Sequence, residues 1–263
     1  MSNTCMPAVF FGHGSPMVAL QPGRYGPAWR GVAEAMPKPR AVLMVSAHWY
    51  TRGIGVTAMA RPRTIHDFGG FPRALSEVQY PAPGDPALAQ RVRELLAPAD
   101  VQADQQWGLD HGAWSVLMHA WPQADVPVVQ LSMDAGMPAA MHYRLARQLA
   151  PLRDEGVLIA GSGNIVHNLR MIRFDQPDYA YDWATRFDMR IAEALLSGDH
   201  DTLINYLQLG RDAQLSVPTA EHYLPLLYVA AQQRDGEPLS FPVEGVEMGS
   251  LSMRAVALGL QAV

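Results

Sequence analysis

Three histidines in this chain stand where apolar runs give way to small residues. Ala8-Val9-Phe10-Phe11 delivers Gly12-His13-Gly14-Ser15-Pro16, and Ala41-Val42-Leu43-Met44-Val45 runs into Ser46-Ala47-His48-Trp49. Val157-Leu158-Ile159-Ala160 empties into Gly161-Ser162-Gly163-Asn164, with His167-Asn168 just beyond. Short continuous apolar runs of this kind read as buried parallel strands. Open α/β sheets bind their ligands outside the carboxyl ends of such strands. One histidine beside a strand is more often a hydrogen-bonded structural residue, but three sharing one placement point to one site. Neutral imidazole is the commonest metal ligand and suits Zn, Cu, Fe and Ni. The chemistry to expect is therefore a divalent ion with open coordination positions, catalytic in type.

The remaining arm of such a site has to come from elsewhere, and Glu221-His222 is the best candidate. The pair is expected to open a helix after Pro218, running from Thr219, a plausible N-cap, to Ala231, with a kink at Pro225. Adjacent helical residues diverge by about 100°, so the two side chains are not expected to share one ion. An acidic residue in a first helical turn is also favoured by the helix dipole alone. The residues leave Glu221 and His222 as alternatives.

Stepping outward, the elements that must hold these groups alternate between strand and helix. Further strands are expected at 53–58, near Val101, at 126–133 and in one or two pieces between 245 and 258, with a short one at 78–80. Helices are expected at 28–36, from Asp85-Pro86 to about Leu96, into His119, and at 138–152. Others follow at 179–196, with Trp183, Phe187, Ile191 and Leu195 on one face, and at 202–209. The fold class this implies is α/β: a single domain over 1–263, with a mostly parallel or mixed central sheet and helices on both faces.

Composition narrows the function classes. The chain has 263 residues, 49% hydrophobic and 17% charged, with a net charge of -5 and no basic block, so a nucleic-acid groove is not expected. Cys5 is the one cysteine, which excludes an intrachain disulfide framework and a cysteine-rich zinc site and suits a reducing compartment. No run approaches the roughly 18 apolar residues of a membrane helix, and the N-terminus lacks the basic region of a signal peptide. A soluble, cytoplasmic protein with no membrane partner is expected; the oligomeric state is not legible.

Other motifs carry less. Gly161-Ser162-Gly163 lacks the Lys-Ser/Thr ending of a phosphate loop, and its glycines are expected to let backbone pass close to the pocket. Asp110, His111 and Ser115 could form a hydrolase triad, but no nucleophile elbow is present. His66-Asp67 is expected either to orient an imidazole through its carboxylate or to make a structural hydrogen bond in an aromatic loop at the pocket rim. His119, His142 and His200 read as solvated or packing residues.

Gly12-His13-Gly14-Ser15-Pro16, Ser46-Ala47-His48-Trp49, His66-Asp67-Phe68, Leu109-Asp110-His111-Gly112-Ala113-Trp114, Gly161-Ser162-Gly163-Asn164 with His167-Asn168-Leu169, and Glu221-His222-Tyr223-Leu224-Pro225-Leu226 occur in this order. Together they resemble the class III extradiol ring-cleavage dioxygenases of the LigB type, in the 4,5-DOPA dioxygenase branch, over nearly the whole chain. The resemblance implies insertion of both atoms of O2 into a small catechol, opening the ring beside the diol. It implies Fe(II) for activity, with Zn(II) able to occupy the same site. By the same resemblance His13, His48 and His222 would hold the metal. His167 would carry acid–base work, sometimes as a fourth ligand, and His111 would lie near the substrate. Three neutral imidazoles would leave the full charge on the ion to depress the pKa of a bound catechol. One departure stands out: Val217-Pro218-Thr219 replaces the His-Pro-Thr or His-Pro-Ser frequent in relatives. Two other functions compete: a zinc hydrolase activating water at the same histidines, separable by metal preference and activity without O2, and a non-enzymatic binding protein on this fold.

Overall fold

The apolar runs become the middle of a sheet because nothing in them can face water on either side. The computed structural model describes residues 5–261. Its strands are β1 (Ala8–Gly12), β2 (Ala41–Thr51), β3 (Ile54–Thr57), β4 (Val101–Asp104), β5 (Val128–Asp134), β6 (Val157–Gly163), β7 (Leu239–Val243), β8 (Val246–Glu247), β9 (Leu251–Ser252) and β10 (Ala255–Leu258). Eight of them form one sheet in the order β4-β3-β5-β2-β6-β1-β10-β7, while β8 and β9 pair separately. β5, β2, β6 and β1 are mutually parallel, so their carboxyl ends share one edge. β10 and β7 add antiparallel on one side, and β3 joins β5 antiparallel on the other. Every residue of β1 and β6 is buried.

The helices are α1 (Tyr25–Glu34), α2 (Arg73–Ser76), α3 (Pro86–Leu95), α4 (His111–Ala120), α5 (Ala139–Arg147), α6 (Pro151–Asp154), α7 (Asp182–Ser197), α8 (His200–Ile204), α9 (Arg211–Ser216) and α10 (Leu224–Ala230). They divide between the two faces, giving two cores. Phe11, Trp29, Met44 and Trp114 belong to the core under α1 and α4. Phe10, Leu43, Phe187 and Leu227 belong to the core under α5, α7 and α10. Alternate residues of one strand feed opposite cores, as a doubly covered sheet requires. Asp85 caps α3 through Leu88 N–H at 2.9 Å, with Pro86 at its first position, as expected.

Several boundaries differ from the sequence reading, each for a local reason. The expected 138–152 helix is two helices, because Pro151 lacks the N–H that would continue α5 and instead begins α6. The expected 219–231 helix begins only at Leu224. Pro225 lies in its first turn, where its missing donor costs nothing, so it starts the helix and does not kink it. Glu221 and His222 accordingly sit in a turn ahead of α10, and Thr219 caps nothing. The 202–209 segment is α8 followed by a 3-10 turn at Tyr206–Leu209. The 78–80 strand is irregular: Tyr80 N–H goes to Thr64 Oγ1 at 3.0 Å and to no strand partner. β7 was not anticipated. Its Pro242 confines it to the sheet edge, where one missing donor is tolerated.

Candidate metal centre

β1 and β6 pair in register as far as Gly12 and Gly163, and β2 and β6 as far as Ser46 and Ser162. Past those points the strands lose neighbours, and side chains can turn into the space at the sheet edge. His13 follows β1 directly. His48 lies within β2, not at its end as the sequence suggested. β2 continues to Thr51, and its register against β5 shifts between Val45 and Tyr50, so His48 occupies the irregular stretch. His222 arrives from the turn before α10, pressed on the end of β6. Its carbonyl accepts from Asn164 N–H at 2.9 Å. A Cβ on Gly163 would stand 2.2 Å from that carbonyl oxygen, and one on Gly161 2.6 Å from the Pro225 carbonyl oxygen. These two glycines let the far segment lie directly on the strand, as expected.

The outcome is convergence. His13, His48 and His222 each offer a ligand atom, and these lie within 4.8 Å of one another. The Nε2 atoms of His13 and His48 are 3.1 Å apart. Each ring is held from behind by its Nδ1. Ser162 Oγ donates its proton to the Gly112 carbonyl at 2.6 Å and so accepts from His13 Nδ1–H at 3.0 Å. Asp67 Oδ2 lies 3.3 Å from His48 Nδ1, and Glu221 Oε1 lies 3.3 Å from His222 Nδ1. Nδ1 of His13 and of His222 is hydrogen-bonded to an oxygen and Nδ1 of His48 has the Asp67 carboxylate beside it, while the Nε2 atoms of His13 and His48 meet in the common space, an arrangement like that by which neighbouring oxygens fix metal-ligand imidazoles. Three converging neutral nitrogens with no cysteine nearby fit a borderline transition-metal ion with open positions.

Burial, then the neighbouring imidazoles, keep the set uncharged. His13 and His222 are held well below the ordinary histidine range. Burial and His111 lower His48 to about 3 against the opposing pull of Asp67. Glu221 does not join His13 and His48; its carboxylate accepts from Thr219 Oγ1 at 2.7 Å and groups instead with His167 and His222.

His167 stacks on His222, with ring centres 3.5 Å apart and planes 6° from parallel. Burial lowers its pKa to about 4, Glu221 pulling the other way. His111 opens α4 with its ring centre 3.8 Å from that of His48. The five histidines share a cleft of about 580 Å³ with Phe68, Phe71, Leu169, Ile172, Phe174 and Leu251.

Of the two roles expected for His66-Asp67, the carboxylate beside an imidazole is the one the structure has for Asp67, but the imidazole is not that of His66, whose Nε2 meets the Val78 carbonyl at 2.8 Å. Asp67 Oδ1 accepts the backbone N–H of His111 at 2.9 Å, while Oδ2 approaches His48 and, 3.0 Å away but out of line for a hydrogen bond, His111 Nδ1. No periodicity signals a carboxylate reaching residues 19 positions behind and 44 ahead. Ser162 was visible only as part of a glycine-rich turn. Asp110 is no triad member: it caps α4 through Ala113 N–H and accepts from Ser46 and Gln130. His119, His142 and His200 are tied to Val18, Tyr228 and Tyr143 respectively, outside the cleft. Val217, where relatives often carry histidine, is buried in the core and is not part of the cleft wall. Among the described residues no helix is long and apolar enough to cross a membrane.

Comparison with known proteins agrees with this geometry. A family model described as the catalytic LigB subunit of aromatic ring-opening dioxygenase matches residues 10–235. An Escherichia coli K12 protein named 4,5-DOPA dioxygenase extradiol is 52% identical over 263 residues, covering 98% of this chain and 97% of that protein. A Beta vulgaris protein of the same name is 39% identical over 224 residues, 82% of this chain and 83% of that one. The crystal structure of an uncharacterised Escherichia coli K12 protein superposes with a TM-score of 0.85 at 47% identity, covering 97% of this chain and 100% of that chain. The chain therefore belongs to the LigB family of aromatic ring-opening dioxygenases, metal-dependent enzymes whose relatives here carry the extradiol name.

Proposed function

We propose that the protein opens the ring of a small catechol by extradiol cleavage with O2, using an ion held by Nε2 of His13, His48 and His222. The observation that carries this reading is the convergence of one ligand atom from each of the three rings to within 4.8 Å of the others, each ring with an oxygen of Ser162, Asp67 or Glu221 beside its Nδ1. The ion, Fe(II) by family resemblance, would supply positive charge that favours the ionised diol and an electron path between ring and O2. His167 faces the same cleft, and its imidazole accepts the proton of a diol hydroxyl and later returns it, two-way work that suits a side chain whose ordinary pKa is ~6.5. Stacking on His222 fixes its plane, so the proton moves over a set distance. His111, beside His48 and held at its backbone by Asp67, orients the substrate ring. The apolar wall of Phe68, Leu169 and Leu251 excludes water from that encounter.

The test is anaerobic loading with Fe(II), followed by O2 and a catechol panel. O2 uptake matched by a yellow ring-opened product is expected. Ester or amide hydrolysis by the Zn(II)-loaded protein without O2, and no O2 uptake with any catechol, would replace this reading with the hydrolase one.

A further inference from the structure

His167 is placed by its backbone. Among the described residues no hydrogen bond reaches its ring, unlike those of His13 and His222, and the ring leans on the His222 imidazole with centres 3.5 Å apart. The segment that carries it, 164–168, is clamped between two stretches of backbone from far along the chain. On one side His167 N–H donates to the Ser216 carbonyl at 2.8 Å and Asn168 Nδ2 to the Leu215 carbonyl at 2.7 Å. On the other lies 250–252. Ser252 N–H donates to the Val166 carbonyl at 2.9 Å, Asn164 Nδ2 to the Ser252 carbonyl at 2.8 Å, and Ser250 Oγ to the Asn168 carbonyl at 2.8 Å. Leu251 pairs with His167 across an antiparallel bridge and helps to line the cleft.

That second stretch cannot hold itself. β9 and its partner β8 are two residues each, and a lone strand pair of that length is not stable by itself. Its anchor is α7, a helix seated in the core through Phe187, Ile191 and Leu195. Asp188 on that helix accepts from Ser252 Oγ–H at 2.6 Å through Oδ1, and from Arg254 Nη2 at 2.6 Å and Nε at 3.0 Å through Oδ2. The Asp188 and Arg254 side chains are only 3% and 5% exposed, and Glu244 holds Arg254 from its other end at 2.7 Å. A buried ion pair is often no more stabilising than an apolar filling of the same shape; what the forked guanidinium supplies is direction. Neither Asp188 nor Arg254 lines the cleft, so neither can touch a substrate there. We propose that Asp188, Ser252 and Arg254 are positioning residues for His167, an inference that rests on the ring-cleaving reading of that imidazole. α7 fixes Asp188, Asp188 fixes the 250–254 stretch, and that stretch fixes how far His167 reaches into the cleft. Proton transfer depends steeply on such reach, since a displacement of about 1 Å caused far from the chemistry costs on the order of 10²-fold.

The experiment reads the imidazole and the turnover separately. Asp188→Asn leaves Arg254 buried with Glu244 alone and puts the fold at risk, so Ser252→Ala, which removes one hydroxyl and spares both charges, is the deciding variant. Zn(II)-loaded protein labelled at histidine is observed by NMR, where stacked rings shift one another's resonances and the His167 set is identified by its loss in His167→Ala. In Ser252→Ala the His167 and His222 resonances are expected to move toward their unstacked positions, with those of His13 and His48 in place. With Fe(II), O2 and a catechol, kcat is expected to fall by about 10–100-fold, part of what a proton-transfer group supplies. KM and Zn(II) affinity should change by less than about threefold. Added to His167→Ala, the same substitution should lower kcat no further, because its effect passes through that ring. Unmoved His167 resonances, or an equal further loss of kcat in the His167→Ala background, overturn the proposal and leave ring cleavage intact. If the wild-type protein cleaves no catechol, the ring-cleaving reading falls and the resonances alone decide: moved, they leave the hold on His167 standing; unmoved, they overturn it as well.

Discussion

Asp67 offers the sharpest test of how the imidazoles are held. Its Oδ1 takes the His111 backbone N–H at 2.9 Å, and its Oδ2 stands 3.3 Å from His48 Nδ1. In Asp67→Asn the amide oxygen can keep the first of these contacts, which leaves the NH2 group facing His48. A donor facing Nδ1–H is repulsive. The ring relieves it by moving its proton to Nε2, which puts an N–H where the lone pair should meet the ion. Loss of such a supporting partner typically weakens metal binding by about 10–100-fold, or roughly 1.4–2.7 kcal/mol. The side chain is only 16% exposed, so solvent does little to replace it. Chelator competition with Zn(II) would read the affinity, with thermal unfolding of the metal-free variant as a control for folding. Affinity unchanged within about threefold, at an unchanged metal-free Tm, would refute the account of tautomer control.

Three further outcomes are expected. Gly163→Ala places a Cβ 2.2 Å from the His222 carbonyl oxygen, against backbone that cannot swing aside; a loss of about 1–3 kcal/mol of stability is expected, with a fall in bound metal per chain by elemental analysis. His167→Ala should retain the ion yet lower kcat by about 10²–10⁴-fold; loss of the metal instead would make His167 a ligand. Burial holds His48 at about 3 and His167 at about 4, so the unfolded chain, with histidines near 6.5, binds more protons below that pH. The metal-free protein should keep its full stability above about pH 6.5 and lose it as the pH falls toward 4; a Tm independent of pH between 7.5 and 5 in the presence of chelator would contradict this.

How much was legible beforehand follows from the range over which each signal acts. The strands that carry His13 and His48 announce themselves through local hydrophobic runs, and the parallel core of the sheet follows from strand–helix alternation. The convergence of His13, His48 and His167 on one cleft was anticipated because strand ends share an edge, whereas His222 was chosen over Glu221 only through the family resemblance. The turn holding His222 was read as helix because Thr219 and the apolar residues after it mimic a capped start, and only tertiary contact with Gly161 and Gly163 fixes the true beginning at Leu224. Asp67 and Ser162 act across the fold on side chains far away in sequence, and no local pattern encodes that. The β2 irregularity that aims His48 was equally hidden, since the sequence reads the strand as ending at His48 whereas β2 runs on to Thr51.

The first and last of the three converging imidazoles are separated by most of the chain, and the last is fastened to β6 by its own backbone. An ion seated among them would close one of the longest loops the chain contains, so loading belongs to the end of folding and not its beginning. A nascent chain halted before His222 would present two of the three nitrogens at most. Metal occupancy of these three histidines would thus double as a report that the polypeptide has been made and folded to that point.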